Sequence, residues 1–417
     1  MAVIIYDVFL ALFRLGISMA SLWNRKAKLW LEGRKNIFER LNSVHPTPDS
    51  RLIWMHCSSL GEFEQGRPIL EKLKSRYRDV KILLTFFSPS GYEIRKNYKG
   101  ADYVFYLPID SAGNAKRFFD IVNPGLVLFV KYEYWYYYLL ECKKRNIPLL
   151  MISAIFRKNQ PFFKWYGAFH RKMLGCMKQF FLQDETSKKL LQSLQINNLT
   201  VSGDTRFDRV SEIAESAEQL PIIEQFCENK NVIVAGSTWP EDESIIKKAI
   251  NSDNSLKLII APHEIHEKHL KEIKNLFPGS ILFSQLTTDY SSVINYNCLI
   301  IDNIGMLSSL YRYATITYVG GGFKNGIHNI LEAAVYGKPV IFGPEYGKFR
   351  EAVELIQYGG GISINNSTEL KNCINNLLTD RLYCEETGKK SFEYVRKNKG
   401  ATEMILSYIQ ENRLLTK

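Results

Sequence analysis

The sequence lacks several patterns by which binding proteins and enzymes are commonly recognised. None of its seven cysteines lies in a C-x-x-C pair, which argues against a structural zinc site and favours buried thiols in a reducing compartment. It contains no Walker loop and no dinucleotide fingerprint, so NAD is not expected as a cofactor. It also contains no zinc-finger spacing, no RNP-like aromatic motif and no long basic tail, so nucleic acid is not expected as a partner.

The length and the order of apolar segments predict two α/β domains. A chain of 417 residues is too long for one hydrophobic core. Short strand-like runs alternate with amphipathic helical stretches in both halves, which is typical of parallel sheets. We therefore predict two Rossmann-like domains that face one cleft. The net charge of +11 attracts anions and favours a phosphorylated or membrane-bound substrate.

The N-terminal segment is mostly apolar over its first 23 residues, although Asp7 and Arg14 interrupt it. Its basic residues, beginning with Arg25 and Lys26, follow the apolar run, whereas a secretory signal carries them in front. A spanning helix needs about 20 apolar residues, so two charges make spanning marginal. We expect an anchor helix that lies in the membrane surface or barely crosses it. A helix that covers a soluble partner surface is the alternative.

Two acidic loops in the first half follow predicted strands. Glu62 ends a loop of small residues after the strand 51–56, and Glu133 follows the strand 126–130. Open α/β sheets place ligand-binding groups at such strand ends. A carboxylate facing a cleft there can accept a proton from a hydroxyl nucleophile. On spacing alone, a glutamate that stabilises a helix start is the favoured explanation of Glu62, and a plain loop acid beside an aromatic helix is the alternative explanation of Glu133.

Phosphate-binding groups are predicted in the second half. Gly321 and Gly322 follow an apolar strand, and a helix is predicted from about Asn329; glycines and a helix start suit a phosphate. One turn into that helix, Glu332 is predicted to accept hydrogen bonds from ribose hydroxyls. Ser237 and Thr238 stand at a predicted strand-to-helix turn, where they can donate to a phosphate or simply cap the helix.

The histidine cluster His263, His266 and His269 does not predict a metal site. Zinc proteases place two histidines four residues apart on a helix, whereas here the spacing is three. We expect no metal, and we expect His263 to lie near a nucleotide.

Taken together, these segments resemble the bacterial 3-deoxy-D-manno-octulosonic acid (Kdo) transferases, which are GT-B glycosyltransferases. The resemblance runs in order through nearly the whole chain. Its segments are the anchor helix, the Ser59–Glu62 loop, Glu133 before Tyr134 and Trp135, the loop 203–208, Ala235–Thr238, Pro262 and His263, Asp302–Met306, and His328–Glu332.

The resemblance implies an inverting enzyme that moves Kdo from CMP-Kdo to a lipid A precursor of the lipid IVA type. It would act at the cytoplasmic face of the inner membrane and would need no metal or other cofactor. Glu62 falls on the position of the general base, and Glu133 and Arg206 fall on positions that stabilise the transition state. The segments that would contact CMP contain Pro262, His263, Ile304, Gly305, Met306, Asn329, Ile330, Leu331 and Glu332.

The sequence departs from the family pattern at four of these positions. Lys131 replaces the first acid of a Glu-Thr-Glu segment, and Asp204 and Arg206 stand where Asn and Lys are usual. Met306 stands where an acid is common. Two alternatives remain: another GT-B enzyme of the cell envelope that uses a UDP-sugar, and a non-catalytic membrane-anchored binding protein.

The predicted domain limits follow from these segments. They are an anchor helix over 1–24, an acceptor domain over 25–210, a CMP-Kdo-binding domain over 211–390, and a C-terminal helix over 391–417 that packs back on the first domain.

Overall fold

The computed structural model describes residues 1–44, 51–250, 256–286, 290–324 and 326–415. The chain forms two compact units: Met1–Asp208 with Gly400–Lys417, and Arg209–Lys399. Each unit is built on a seven-stranded parallel sheet, which confirms the predicted class of two Rossmann-like α/β domains. The C-terminal return begins at Gly400 rather than at 391, because the helix that contains 391 continues to Lys397 in the second unit.

The first unit's sheet has the strand order β3-β2-β1-β4-β5-β6-β7. The order reverses between β1 and β4, and open α/β sheets bind ligands at such a reversal. Its strands are β1 (Arg51–Cys57), β2 (Val80–Phe86), β3 (Tyr103–Tyr106), β4 (Leu126–Val130), β5 (Leu149–Ala154), β6 (Gln179–Leu182) and β7 (Leu199–Val201). Its helices before residue 206 are α1 (Ala2–Ala20), α2 (Arg25–Glu32), α3 (Ile37–Leu41), α4 (Leu60–Arg76), α5 (Pro89–Arg95), α6 (Ala112–Val122), α7 (Tyr136–Lys144), α8 (Ala168–Leu174) and α9 (Glu185–Gln192).

The strands of this sheet are apolar along their whole length because both faces are covered. In β1, Leu52 and Trp54 enter the hydrophobic cluster on one face, and Ile53 and Met55 enter the cluster on the other. Successive side chains of a strand point to opposite faces, so a sheet between two layers needs apolar residues at every position.

The second unit's sheet has the order β10-β11-β9-β8-β12-β13-β14, which reverses between β8 and β12. Its strands are β8 (Asn231–Thr238), β9 (Leu256–Pro262), β10 (Ile281–Leu282), β11 (Cys298–Ile300), β12 (Ile316–Val319), β13 (Val340–Phe342) and β14 (Gly361–Ser363). The remaining helices are α10 (Arg206–Ser216), α11 (Pro221–Cys227), α12 (Pro240–Ala249), α13 (Glu267–Leu276), α14 (Leu307–Leu310), α15 (Leu331–Ala334), α16 (Arg350–Tyr358), α17 (Ser367–Thr379), α18 (Arg381–Lys397) and α19 (Ala401–Glu411). Short 3₁₀ turns occur at Pro161–Phe163, Phe283–Gln285, Tyr290–Asn295 and Tyr311–Tyr313.

Two local predictions in the second unit were wrong. Strand β8 continues through Thr238 where a turn was expected, with Ser237 in the left-handed region at φ 53°. The helix predicted from Asn329 is the single turn α15, which starts at Leu331. It ends early because Gly337 adopts φ 69° and Pro339, which has no N–H to donate, follows two residues later.

Helix α1 lies along the first unit and is long and apolar enough to cross a membrane, judged by length and composition only. Its inner face carries Tyr6, Leu10, Phe13 and Ile17, which are buried or half-buried. The Tyr6 hydroxyl donates to Asp110 Oδ2 at 2.6 Å and fixes the helix to the unit. The outer face exposes large apolar side chains: Ile4, Ile5, Val8, Phe9, Leu12, Leu15 and Met19. Helix α1 therefore remains a candidate for an anchor that lies on a membrane surface.

The start of helix α19 is held in the first unit by a buried carboxylate, while Ile405, Leu406 and Ile409 pack in the unit's core. Asp208 Oδ1 accepts from the N–H of Gly400 at 2.6 Å, and Oδ2 accepts from the N–H of Thr402 at 2.7 Å. Both N–H groups belong to the start of α19, where a helix has no internal acceptors.

We predict that Asp208→Ala lowers the free energy of unfolding by about 1–3 kcal/mol, because it leaves two N–H groups of α19 without their acceptor. Chemical denaturation measures the change. Glu215→Gln is the control, since it removes an exposed ion pair with Lys399 worth about 0–1 kcal/mol. Equal losses in the two variants would contradict the capping role of Asp208.

Candidate active site

Glu62 lies in the first turn of α4, directly after β1. Its Oε2 accepts from the backbone N–H of Ser58 and, at 3.2 Å, from that of Ser59. The carboxylate therefore completes the start of the helix, which is the simpler role considered for this position. The half-buried side chain keeps part of its surface accessible, so the helix-capping role does not exclude a chemical one.

The ionisation of Glu62 is shifted towards neutral pH. Burial and, more weakly, the charge of Glu133 raise its pKa to about 7, although the N–H groups of Ser58 and Ser59 and the charge of Lys131 act in the opposite direction. A carboxyl group near pKa 7 exchanges protons readily at physiological pH. Such a value is typical of a general base.

Glu133 follows β4 and is the end of a buried hydrogen-bonded chain. Its Oε2 lies 2.9 Å from His56 Nε2, and Trp135 Nε1 donates to the same oxygen at 2.5 Å. On the far side of the ring, His56 Nδ1 lies 2.8 Å from Thr85 Oγ1. Thr85 Oγ1 in turn accepts from Trp54 Nε1 at 2.8 Å.

One arrangement of protons satisfies every group in this chain. Thr85 Oγ1 accepts from the indole of Trp54 and donates to His56 Nδ1, which leaves the imidazole hydrogen on Nε2. His56 then donates to Glu133, whose Oε2 receives two N–H groups. This hydrogen-bonded chain fixes the orientation of the Glu133 carboxylate.

His56 is the residue that the sequence analysis missed in this unit. It stands inside a strand predicted from its apolar neighbours and is fully buried. The signal available was the pair of polar residues at the same level of adjacent strands, because His56 in β1 is the register partner of Thr85 in β2.

Two of the three charged departures from the family pattern, Asp204 and Arg206, form a pair with each other. Arg206 Nε and Nη2 donate to Asp204 Oδ2 at 3.0 and 2.8 Å. Burial alone would raise the pKa of Asp204, but Arg206 and, more weakly, Lys131 hold it below its usual range. Gln65, from the helix that carries Glu62, also donates to Asp204 Oδ2, at 3.0 Å. The three acids and two cations thus share one electrostatic environment.

In the second unit, the predicted nucleotide-binding residues follow β8, β9, β11 and β12, which are neighbours in the sheet. All four strands are parallel, so these residues lie along one carboxyl edge. Pro262 ends β9, and the loop with Gly305 at φ 104° follows β11. Its neighbour Ile304 is 89% exposed, and Met306 Sδ lies 2.9 Å from Asn303 Nδ2.

The glycines after β12 serve close packing of backbone. The N–H of Gly321, predicted to face a phosphate, donates to Asp242 Oδ2 at 2.9 Å. A Cβ on Gly322 would come 2.6 Å from the Cα of Gly343 in the adjacent loop. The glycines are therefore required by the unit itself, and the phosphate contact of Gly321 and Gly322 stays a prediction.

Several other predicted contacts point into the protein. Thr238 is fully buried, and its hydroxyl donates to Glu243 at 2.9 Å. The side chains of Ile330 and Leu331 are also fully buried, which leaves only their backbone for a ligand. Nearby, Asn329 Nδ2 donates to Glu332 Oε1 at 2.9 Å. Ser237, His263, Asn329 and Glu332 keep accessible surface.

A cluster of flat rings occupies the same edge. The rings of His263 and His328 lie 4.3 Å apart and almost parallel, and Trp239 lies 4.8 Å from His263. Trp239 Nε1 donates to His328 Nε2 at 3.0 Å. Burial, with a smaller effect of His263, lowers the pKa of His328 to about 4. His328 is therefore neutral at physiological pH and carries its hydrogen on Nδ1.

Known proteins that are similar to this chain in sequence indicate one family. The family model described as 3-Deoxy-D-manno-octulosonic-acid transferase (kdotransferase) matches residues 35–209. The 3-deoxy-D-manno-octulosonic acid transferase of Rickettsia bellii is 28% identical over 389 residues, which cover 91% of this chain and 92% of that protein. That of Aquifex aeolicus is 29% identical over 339 residues, covering 78% and 86% of the two chains.

The chain is similar to the Kdo transferases over most of its length. These similarities indicate a glycosyltransferase, and the region that the family model matches contains Glu62, Glu133 and Arg206. Among solved structures, UDP-GlcNAc 2-epimerase from Neisseria meningitidis superimposes with a TM-score of 0.61 at 17% identity, covering 87% of this chain and 100% of that one. This likeness is one of fold and agrees with the predicted GT-B class.

We predict that Glu133→Gln lowers the pKa of Glu62 in this transferase, because the substitution removes a negative charge that raises it. Titration of the carboxyl carbon by ¹³C NMR, assigned with Glu62→Gln, measures the value without substrate. Glu64→Gln, on the same helix and paired with Arg95 at 2.8 Å, is the control. An unchanged pKa in Glu133→Gln would show that the two carboxylates do not interact.

We also predict that His56→Phe lowers the kcat of the transferase by about 10- to 100-fold with little change in KM for the donor. An unsatisfied buried acceptor costs about 1–3 kcal/mol, and Glu133 would lose a donor and its fixed orientation. Thr85→Val is the matched variant, since it shortens the chain but leaves the His56–Glu133 bond. Rescue by His56→Gln, which restores an N–H donor, would separate positioning from simple packing. Equal kcat in His56→Phe and the wild type would contradict the positioning of Glu133 by His56.

Proposed function

We propose that this transferase moves Kdo from CMP-Kdo to a lipid A precursor of the lipid IVA type in lipopolysaccharide synthesis. The observation that carries the proposal is Glu62, a helix-held carboxylate with a pKa near 7, at the switch point of the first unit beside Glu133 and Arg206. The names of the relatives support Kdo as the transferred sugar.

In the proposed reaction, Glu62 takes the proton from the attacking hydroxyl of the acceptor. The hydroxyl oxygen forms a bond to the anomeric carbon of Kdo on the face opposite to CMP. The bond from that carbon to the phosphate oxygen breaks, and CMP leaves with the electron pair, so the configuration inverts. Base catalysis of this kind contributes about 10²- to 10⁴-fold to the rate.

Glu133 and the cations complete the proposed site. The carboxylate of Glu133, held by His56 and Trp135, faces the positive charge that develops on the sugar ring. Arg206, oriented by Asp204, stabilises negative charge in the transition state. We propose that no metal or organic cofactor is needed, because Arg206 and Lys131 supply positive charge from the chain itself.

The carboxyl edge of the second unit is the proposed CMP site. The Gly321 N–H is committed to Asp242, so the accessible groups of Ser237, His263 and Asn329 remain for the phosphate and ribose. The flat rings of the His263 cluster suit contact with a base or ribose. We propose that α1, with its exposed apolar face, holds the enzyme at the cytoplasmic face of the inner membrane.

We predict that Glu62→Gln lowers transfer by at least about 10²-fold while binding of CMP-Kdo persists, because the amide can still accept at the start of α4 but cannot take a proton. Mass spectrometry of products with a defined lipid acceptor measures transfer, and calorimetry with CMP measures donor-site binding. Glu64→Gln on the same helix is the control and should keep activity. Full activity of Glu62→Gln would refute its role as the base.

The same assay tests the donor. Inhibition by CMP and not by UDP supports the proposal, whereas the reverse result points to a GT-B enzyme that uses a UDP-sugar. Absence of turnover in the wild type, with CMP still bound, would indicate a non-catalytic binding protein.

A further inference from the structure

The first unit encloses a cavity of about 300 Å³ beside α1, remote in sequence from the site residues described above. Its wall comes from α1, from the segment around α3 and from α6. Three of the lining side chains are guanidiniums, those of Arg14, Arg34 and Arg117, whereas the one lining carboxylate is that of Glu39. The cavity is therefore positively charged and suits an anion.

Arg34 forms the fixed floor of this cavity. Its Nε, Nη1 and Nη2 donate to the backbone oxygens of Leu107, Trp30 and Phe87 at 2.9, 3.0 and 2.8 Å. Its guanidinium lies 3.9 Å from the centre of the Trp30 ring. In the described part of the chain no carboxylate pairs with it, and burial lowers its pKa to about 9. The cation is thus built in without a counter-charge from the protein.

Arg14 and Arg117 stand at the rim and are exposed. Arg117 rests on the ring of Phe38 at 4.4 Å, which orients its guanidinium. Neither side chain makes an ion pair or hydrogen bond within the residues that the structure describes. Guanidiniums bind phosphate oxygens through paired N–H donors, and three of them line this one cavity.

The position of the cavity indicates what the anion is. Arg14 belongs to α1, and the outer face of the same helix exposes Phe9, Leu12 and Leu15. An apolar helix that lies in a membrane surface sits at the boundary between headgroups and acyl chains. Basic groups on such a helix lie at the level of the lipid phosphates, where an anionic leaflet attracts them.

We propose that the Arg14–Arg34–Arg117 cavity binds the phosphate of an anionic phospholipid headgroup and so fixes the first unit on the bilayer. The inference rests on the proposed membrane placement of α1. It adds a defined lipid site to what an apolar helix alone would provide, and it gives the enzyme a preference for anionic over zwitterionic bilayers.

The test is cosedimentation of the full chain with vesicles of phosphatidylglycerol and phosphatidylcholine, compared with vesicles of phosphatidylcholine alone. Arg14→Gln/Arg117→Gln should lower binding to the anionic vesicles by roughly 10-fold or more. Lys26→Gln/Lys28→Gln is the matched control, since it removes two exposed charges next to α1 but outside the cavity. Arg34 is left intact because it supports three backbone oxygens.

Several outcomes would overturn the lipid site. If both double variants lose vesicle binding equally, the binding depends on general surface charge. If excess soluble glycerol phosphate releases the wild-type protein from the vesicles, the cavity is a site for free phosphate esters. A raised KM for the lipid A precursor in detergent would make the acceptor the occupant. Unchanged transfer in detergent, with weaker vesicle binding, supports the site. Loss of transfer activity in the wild type itself would refute the proposed function but not this lipid site.

Discussion

The burial of two carboxylates at adjacent strand ends is the constraint on which the first unit's site depends. Glu62 after β1 and Glu133 after β4 lie on either side of the reversal in strand order, and the protein accommodates them differently. Glu133 receives two N–H donors on one oxygen, which fix its orientation. Glu62 is left with a pKa near 7. Two like groups thereby acquire different chemical roles from their surroundings.

The candidate residues of the second unit also lie where the strand order reverses, but their charges differ from those of the first unit's site. At the ends of β8 and β12 the buried carboxylate of Asp242 holds backbone and Tyr318, and His328 is kept neutral. Apart from such internal bonds, this edge presents the rings of His263 and Trp239 and the polar side chains of Ser237, Asn329 and Glu332. That surface suits a nucleotide, whereas the acids and cations of the first unit suit proton transfer and charge stabilisation.

The sheets and the placement of the two glutamates could be predicted because they follow from local rules. Strands covered on both faces read as continuous apolar runs, and ligand groups collect where such runs end. The hydrogen bonds of His56 could not be predicted, since its partners Thr85 and Glu133 are 29 and 77 residues away, although a polar residue within an apolar strand was a signal. The hydrogen bond from the Gly321 N–H could not be predicted either, because its acceptor, Asp242, lies 79 residues earlier in the chain. Long-range hydrogen bonds leave no periodic trace in a sequence.

The double use of the Glu62 carboxylate has a consequence for the backbone around it. The oxygen that accepts the N–H groups of Ser58 and Ser59 belongs to the carboxyl group that is proposed to gain a proton, and a neutral acid accepts hydrogen bonds more weakly than its anion. The first turn of α4 is therefore held more loosely in the protonated state. In the proposed reaction, these hydrogen bonds would weaken when Glu62 gains a proton and strengthen when it releases the proton. The order of the helix start would then change once in each catalytic cycle.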